Sequence, residues 1–417
     1  MLEKILIKKQ LISYIKENKR FPFWYISSEQ KARSLSLLEI ILRNLTVLDK
    51  EIYQHVRHKT SFKIVNILRI ASAEILFDKI PTHAAVDCAV RLTKLDKKLL
   101  RFSGLVNVVC RKISKKLLDG SSLDDPLLCN ELLIGLKNIY DFETLKRFSL
   151  AQQKRPPLDL TIKDVNRENY YADLLEGCLL PSGTVRLQHQ NQLTKMSGYE
   201  EGDWWVQDFS SSIPVKLLGP VFGLSVFDVC AAPGGKTLQL ASGGAQVTAL
   251  EISKKRARKL RENLSRTKLS ADIIIDDIHK IEVKNLFDIV LVDAPCSATG
   301  TIRKNCDLQY LNPHKRVDSL VTMQKAIIKK AMCFVKPGGR LLYCTCSLLP
   351  SEGEEVISQS IRYSSDWSQA IISGENLGIN PEWVDRCWGL RLRPDFWQSI
   401  GGMDGFYIAM LIRKLTV

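Results

Sequence analysis

Long apolar runs are missing from this sequence, and that bounds what the chain can be. No stretch approaches the roughly 18 residues expected of a membrane span, so no membrane partner is expected. The N-terminal stretch is amphipathic, with Leu2, Ile5, Leu6 and Ile12 set among lysines. It lacks a signal-type apolar core and a cleavage site, so it is expected to be domain structure, not a targeting segment. Paired CxxC motifs and Cys/His clusters are also absent. Cys344 and Cys346 alone are too few ligands for zinc, and no metal is expected. The 11 cysteines are odd in number and irregularly spaced. That argues against a disulfide framework and for a reducing, cytoplasmic setting. There are no internal repeats and no low-complexity segment. No glycine occurs before Gly104.

What is present is a globular composition, 45% hydrophobic and 25% charged, long enough for several domains. The net charge of +15 is unevenly spread: residues 1–120 hold 24 Lys+Arg against 11 Asp+Glu, a net of +13. A surplus this local suits an acidic partner, and nucleic acid is the natural one. The bland alternative is a solvated, lysine-rich helical surface.

Residues 1–118 read as helices. Apolar residues recur at helical spacing in 35–41, 64–76, 84–92 and 105–118. The polar, turn-rich stretch 119–126 marks the end of this bundle, and 119–144 is expected to be a connector. Residues 145–209 change character. Strands are expected at 158–162 and 184–187 with a helix at 165–175 between them. The tandem Trp204-Trp205 near the end of this module can stack on bases, but paired tryptophans in a strand are more often packing. From 210 to 417, short apolar strands at 226–230, 247–252, 273–275, 289–292 and 340–344 alternate with helices, notably 253–264 and 321–335. That rhythm predicts a doubly wound α/β sheet, closed by a strand at 406–412.

In such folds ligands bind beyond the carboxyl ends of the strands. After the first strand comes Cys230-Ala231-Ala232-Pro233-Gly234-Gly235-Lys236-Thr237. Its glycines allow close backbone approach, and the next helix presents free N–H groups. Gly-Gly-Lys-Thr resembles a phosphate-binding loop, but Cys230 stands where that motif needs glycine and Pro233 removes an N–H. Glu251 ends the second strand and suits a ribose diol; the bland alternative is a surface carboxylate pairing with Lys254 or Lys255. Asp276-Asp277 ends the third, placed for an adenine amino group, and Asp293 the fourth. Acids at successive strand ends favour a nucleoside cofactor without a pyrophosphate, S-adenosylmethionine rather than NAD. Two cysteines also follow strand ends, Cys296 in Asp293-Ala-Pro-Cys296 and Cys346 in Thr345-Cys346-Ser347. Each is a candidate nucleophile, against the plainer possibility of a buried core cysteine. Cys344 lies deeper in its strand and reads as core.

Taken together, Asp228–Thr237, Asp293–Gly300, Thr345–Ser347 and Asp404-Gly-Phe-Tyr407 resemble the RNA cytosine-5 methyltransferases, closest to the bacterial RsmB (Fmu/Sun) type. Ile80–Ala85 and Gly104–Asn107 are similar to that subgroup's N-terminal NusB-like domain. Arg155–Pro157 and Val206–Ser211 are similar to its middle module and junction. The resemblance implies an all-α NusB-like RNA-binding domain (1–118), a small α/β, ferredoxin- or RRM-like RNA-binding module (145–209) and a Rossmann-like class I methyltransferase domain (210–417). It implies methylation of cytosine C5 in small-subunit (16S) rRNA by a monomer using S-adenosylmethionine. Cys346 is then implied to be the attacking thiolate, Cys296 to assist proton removal and release, and Asp293 to hold the cytosine edge. Cys230 to Lys236, Glu251, Arg256, Asp277 and Asp293 are implied to contact the cofactor.

Three positions depart from the family. Glu251 replaces the usual aspartate, Cys306 stands where proline is expected, and Leu160-Thr-Ile-Lys163 lacks the Arg-x-Asn of many relatives. The rival readings are the same chemistry on tRNA or other rRNA, a catalytically silent RNA-binding assembly factor, and DNA methylation, in which Cys296 would attack.

Overall fold

The structure, a computed structural model, describes residues 28–57, 59–118, 128–188, 192–282, 284–310, 316–362, 364–385 and 389–415. The amphipathic N-terminal stretch and the turn-rich segment 119–126 lie outside them. The chain forms two compact units, Met1–Cys129 and Asn130–Val417.

In the first unit every described element is helical: Ser28–Arg43, Leu45–Tyr53, Phe62–Leu76, Thr82–Leu95 and Ser103–Leu118. The apolar spacing explains the packing. Ile64, Ile67, Leu68, Ala71 and Ile75 form one stripe, which meets Ala85, Val86, Ala89 and Leu92 and the stripe Val106, Val109, Cys110 and Ile113. Lys97, Lys98, Arg101, Arg111, Lys112 and Lys115 are all exposed, whereas Arg69 is buried and pairs with Asp49.

The second unit begins with helices Asn130–Leu136 and Phe142–Gln153. A small antiparallel sheet follows, built from β1 (Leu158–Ile162), β2 (Cys178–Leu179), β3 (Val185–Leu187) and β4 (Trp204–Val206). Its order β4-β1-β3-β2, with helix Glu168–Leu174 between β1 and β2, is ferredoxin-like. Among the described residues the second crossover holds the short turn Leu193–Lys195. Both tryptophans of β4 are packing residues. Strand alternation sends Trp204 into the core of this module and Trp205 against Ala231, Ala232 and Leu238 of the larger one. Each indole N–H is bonded, to the Ser197 carbonyl and to Gln207 Oε1.

The large sheet holds β5 (Ser225–Val229), β6 (Gln246–Leu250), β7 (Asp272–Ile274), β8 (Phe287–Asp293), β9 (Val335–Thr345), β10 (Trp367–Gln369), β11 (Val384–Asp385), β12 (Gly389–Leu392) and β13 (Phe406–Arg413). Its order is β11-β12-β13-β9-β8-β5-β6-β7, with β10 on β13. Strands β5 to β9 are parallel neighbours, and β13 runs antiparallel to β9. The expected doubly wound sheet is therefore mixed. One boundary moves: Val335 opens β9 instead of ending a helix. Pro337-Gly338-Gly339 then interrupts the ladder, and the register on β8 shifts between Phe287 and Ile289. From β5 the chain winds one way to β6 and β7, and the other way to β8 and β9. The switch point lies between β5 and β8, where a ligand crevice is expected.

Candidate active site

The loop after β5 is tied down from both ends. Asp228, inside β5, accepts a 2.6 Å bond from the Thr237 hydroxyl in the first turn of helix Gly235–Ser242. Cys230 (φ +63°) and Gly234 (φ +111°) both take left-handed backbone, which folds the loop sharply over the strand end. A Cβ on Gly234 would come within 2.5 Å of Leu260. Burial of Asp228 lifts its carboxyl to about 7, and burial pushes the Cys230 thiol up to about 12, helped by Asp293 and Glu251.

Glu251 follows β6 and is buried. It accepts from Ala232 N–H (3.3 Å) and Ser253 N–H (2.9 Å), and pairs with Arg256 at 3.4 Å. Arg256 also donates to the Ala232 carbonyl. The partner is thus Arg256, where Lys254 or Lys255 was the alternative, and the pair brackets the loop. Asp277 stands after β7, one strand further out, where it caps the turn Ile278–Lys280 through His279 N–H. No bond joins it to the loop among the described residues.

Across the switch point, Asp293 at the end of β8 meets Lys236 at 2.8 Å. Burial works against the Lys236 charge, but Asp293 by charge and hydrogen bond, with Cys344 and Asp228, together hold the ammonium above its ordinary range. Cys344 is fully buried, as a core residue, with its Sγ 3.6 Å from Asp293 Oδ1. Because β8 and β9 pair with Asp293 opposite Cys344, the turns after them run side by side. Cys296 and Cys346 meet there, Sγ to Sγ 3.4 Å. Hydrogen bonding to Cys346, then burial, pushes the Cys296 thiol well above the usual range.

A cavity of about 670 Å³ opens at this point. Ala231, Pro233, Gly235, Lys236, Asp293 and Cys346 line it; Cys296 is not among its lining residues. Its far wall comes from β4 and the loop after it, including Trp205, Gln207 and Asp208. Three further lining residues form a cluster that no local pattern links. Lys304 bonds Asp208 at 2.5 Å and Asp404 at 2.8 Å, clamping the junction to the start of β13. Burial, then the Asp208 charge, raises the Asp404 carboxyl to about 6. Both aspartates stood in recognised motifs, but nothing local linked them to Lys304. Glu352, buried in the turn Pro350–Glu352, was also missed.

The lining mixes carboxylates, among them Asp293 and Asp404, with cations, among them Lys236 and Lys304. Asp404 Oδ1 and, behind the loop, Asp228 Oδ1 are buried without a partner among the described residues. The Asp404 oxygen leaves an acceptor on the cavity wall for a ligand that offers amine or hydroxyl donors.

Comparison with known proteins agrees with this architecture. Residues 215–412 match the family described as 16S rRNA methyltransferase RsmB/F, and residues 4–115 match the NusB family. The chain is similar to ribosomal RNA small subunit methyltransferase B of Cronobacter sakazakii (strain ATCC BAA-894), with 30% identity over 419 residues, 93% of this chain and 92% of that protein. Among solved structures, PH0851 shares the fold with a TM-score of 0.72 and 21% identity, over 98% of both chains. NSun6 from Pyrococcus horikoshii, solved with SFG, has a TM-score of 0.58 and 18% identity, over 69% of this chain and 99% of that one.

Proposed function

Because this chain belongs to the RsmB/F family of 16S rRNA methyltransferases and carries an N-terminal NusB domain, we propose that it methylates carbon 5 of a cytosine in small-subunit rRNA, using S-adenosylmethionine and Cys346 as nucleophile. The observation that carries this reading is the placement of Cys346 on the cavity wall with Lys236 and Asp293, its sulfur 3.4 Å from that of Cys296.

S-adenosylmethionine supplies, when bound, an electrophilic methyl group. Residues Cys230 to Lys236, Glu251, Arg256, Asp277 and Asp293 would hold it, Glu251 serving the ribose hydroxyls and Asp277 the adenine amino group. C5 of cytosine is a poor nucleophile. Addition of the Cys346 sulfur to C6 makes the ring an enamine, with electron density at C5. Once C5 carries the methyl group, its proton leaves, the C5–C6 double bond re-forms and the thiolate departs. Asp293 holds the cytosine edge, its charge balanced by Lys236. Cys296 assists proton removal and product release. The basic face of residues 28–118 binds RNA phosphates, and the small sheet beside the cavity contributes to RNA binding.

Bisulfite mapping of cellular RNA tests the proposal. Deletion of the gene, or replacement by the Cys346→Ala enzyme, is expected to erase one 5-methylcytosine from small-subunit rRNA. Loss only from tRNA or large-subunit rRNA would overturn the substrate. No loss at all, with no binding of S-adenosylmethionine by calorimetry, would leave an RNA-binding assembly factor.

A further inference from the structure

Glu352 is a fully buried carboxylate to which the chemistry above gives no role. A carboxylate at that depth persists only where donors replace water, and four do so here. Ser297 N–H (2.9 Å) and Gln324 Nε2 (3.1 Å) donate to Oε1; the hydroxyls of Ser297 (2.5 Å) and Ser347 (2.6 Å) donate to Oε2. Ser297 directly follows Cys296, and Ser347 directly follows Cys346. Gln324, on helix Val317–Met332, donates as well to the Pro295 carbonyl at 2.8 Å, one residue before Cys296. One side chain therefore ties both cysteine turns together and anchors them to a third element.

We propose that Glu352 is a positioning residue that fixes the separation of the Cys296 and Cys346 sulfurs. For methyl transfer this role rests on the function proposed above; for the spacing of the thiols it does not. A misplacement of about 1 Å between reacting groups can cost about 10²-fold in rate. The strands remain joined without Glu352, through Ala294 N–H to the Cys344 carbonyl (2.9 Å) and Gly300 N–H to the Cys346 carbonyl (2.9 Å). Removing the brace should loosen the thiols without unpairing the sheet.

The test uses the full-length enzyme and diamide, which accepts two hydrogens as the two thiols close to one disulfide. Formation of the Cys296–Cys346 bond is followed by peptide mass spectrometry. Glu352→Ala is expected to slow it at least about 10-fold, and to lower kcat by a similar factor with KM for RNA within about twofold. Glu352→Gln keeps the shape, and its amide can donate to the two hydroxyls, so it should cross-link at more than about half the wild-type rate. A fall as large as that of the alanine variant would make charge the cause and overturn the proposal. Should Glu352→Ala not fold, Ser297→Ala and Ser347→Ala decide, since each cuts one leg of the brace and should slow cross-linking several-fold. Unchanged cross-linking in folded Glu352→Ala, or in both serine variants, overturns the proposal. If the wild type methylates no RNA, the cross-linking comparison still stands, and only the methylation reading falls.

Discussion

The sulfurs of Cys296 and Cys346 lie 3.4 Å apart, although 50 residues separate them in the chain. The contact follows from strand order, because β8 and β9 are parallel neighbours that end together. It also makes the two thiols unequal. Cys346 lines the cavity and Cys296 does not, and hydrogen bonding to Cys346, then burial, pushes the Cys296 thiol up. A thiol whose proton is held on is a poor nucleophile.

This inequality separates two variants. Cys346→Ala is expected to lower turnover by at least about 10³-fold and to abolish covalent capture of RNA. Cys296→Ala should still attack, and should accumulate a protein–RNA adduct visible as a shifted band on a denaturing gel. An adduct formed by Cys346→Ala would reverse the roles.

Gly300 joins the motifs by backbone contact alone. Its N–H donates to the Cys346 carbonyl (2.9 Å), and its carbonyl accepts from Gly405 N–H (2.8 Å). A Cβ there would meet the Gly405 carbonyl oxygen at 2.0 Å. Gly300→Ala should therefore destabilise the protein by about 3 kcal/mol and lower activity, since backbone must move at Cys346. Urea unfolding measures the first effect; a change under about 0.5 kcal/mol would contradict it.

Asp228 gives a pH dependence of stability. Its carboxyl rises from an ordinary 3.8 to about 7 on folding, chiefly through burial. The folded state therefore binds more protons than the unfolded state between those values. Stability contributed by this group falls as pH rises from about 4 to 7, by a few kcal/mol at most. Asp228→Asn should flatten that fall in urea titrations at pH 5 and 8. An unchanged difference between the two pH values would remove Asp228 as the cause.

Charge on the helical unit should govern RNA affinity. Reversing Lys97, Lys98 and Arg101 to glutamate in the full chain is expected to weaken RNA binding. It should also reduce the slope of log affinity against log salt by about 0.7 to 0.9 for each phosphate that is no longer neutralised. Filter binding at several salt concentrations reads both quantities. An unaltered slope would place the RNA elsewhere.

Much of the fold was legible because its signals are local. The helical stripe Ile64–Ile75 and the strands at 158–162 and 226–230 follow from side-chain periodicity within a few residues. Val335 misled because Ile327, Ile328 and Ala331 carry a helical pattern up to it. Only the Pro-Gly-Gly that follows marks the irregular start of β9. The paired tryptophans resolved as packing because each indole N–H found a partner inside the fold.

The sequence by itself located the candidate site loops: the Cys230–Thr237 turn, Asp293 at a strand end and the two cysteines beyond strands. Those motifs are contiguous, and a doubly wound sheet puts all such loops on one edge. Tertiary structure alone decided which strands are neighbours, and so which loops touch. It brought Asp208 and Asp404, 196 residues apart, onto Lys304. It set Glu352 beneath both cysteine turns. It also put Cys346, and not Cys296, on the cavity wall. Such pairings depend on strand order and register across the sheet, and no local periodicity encodes them.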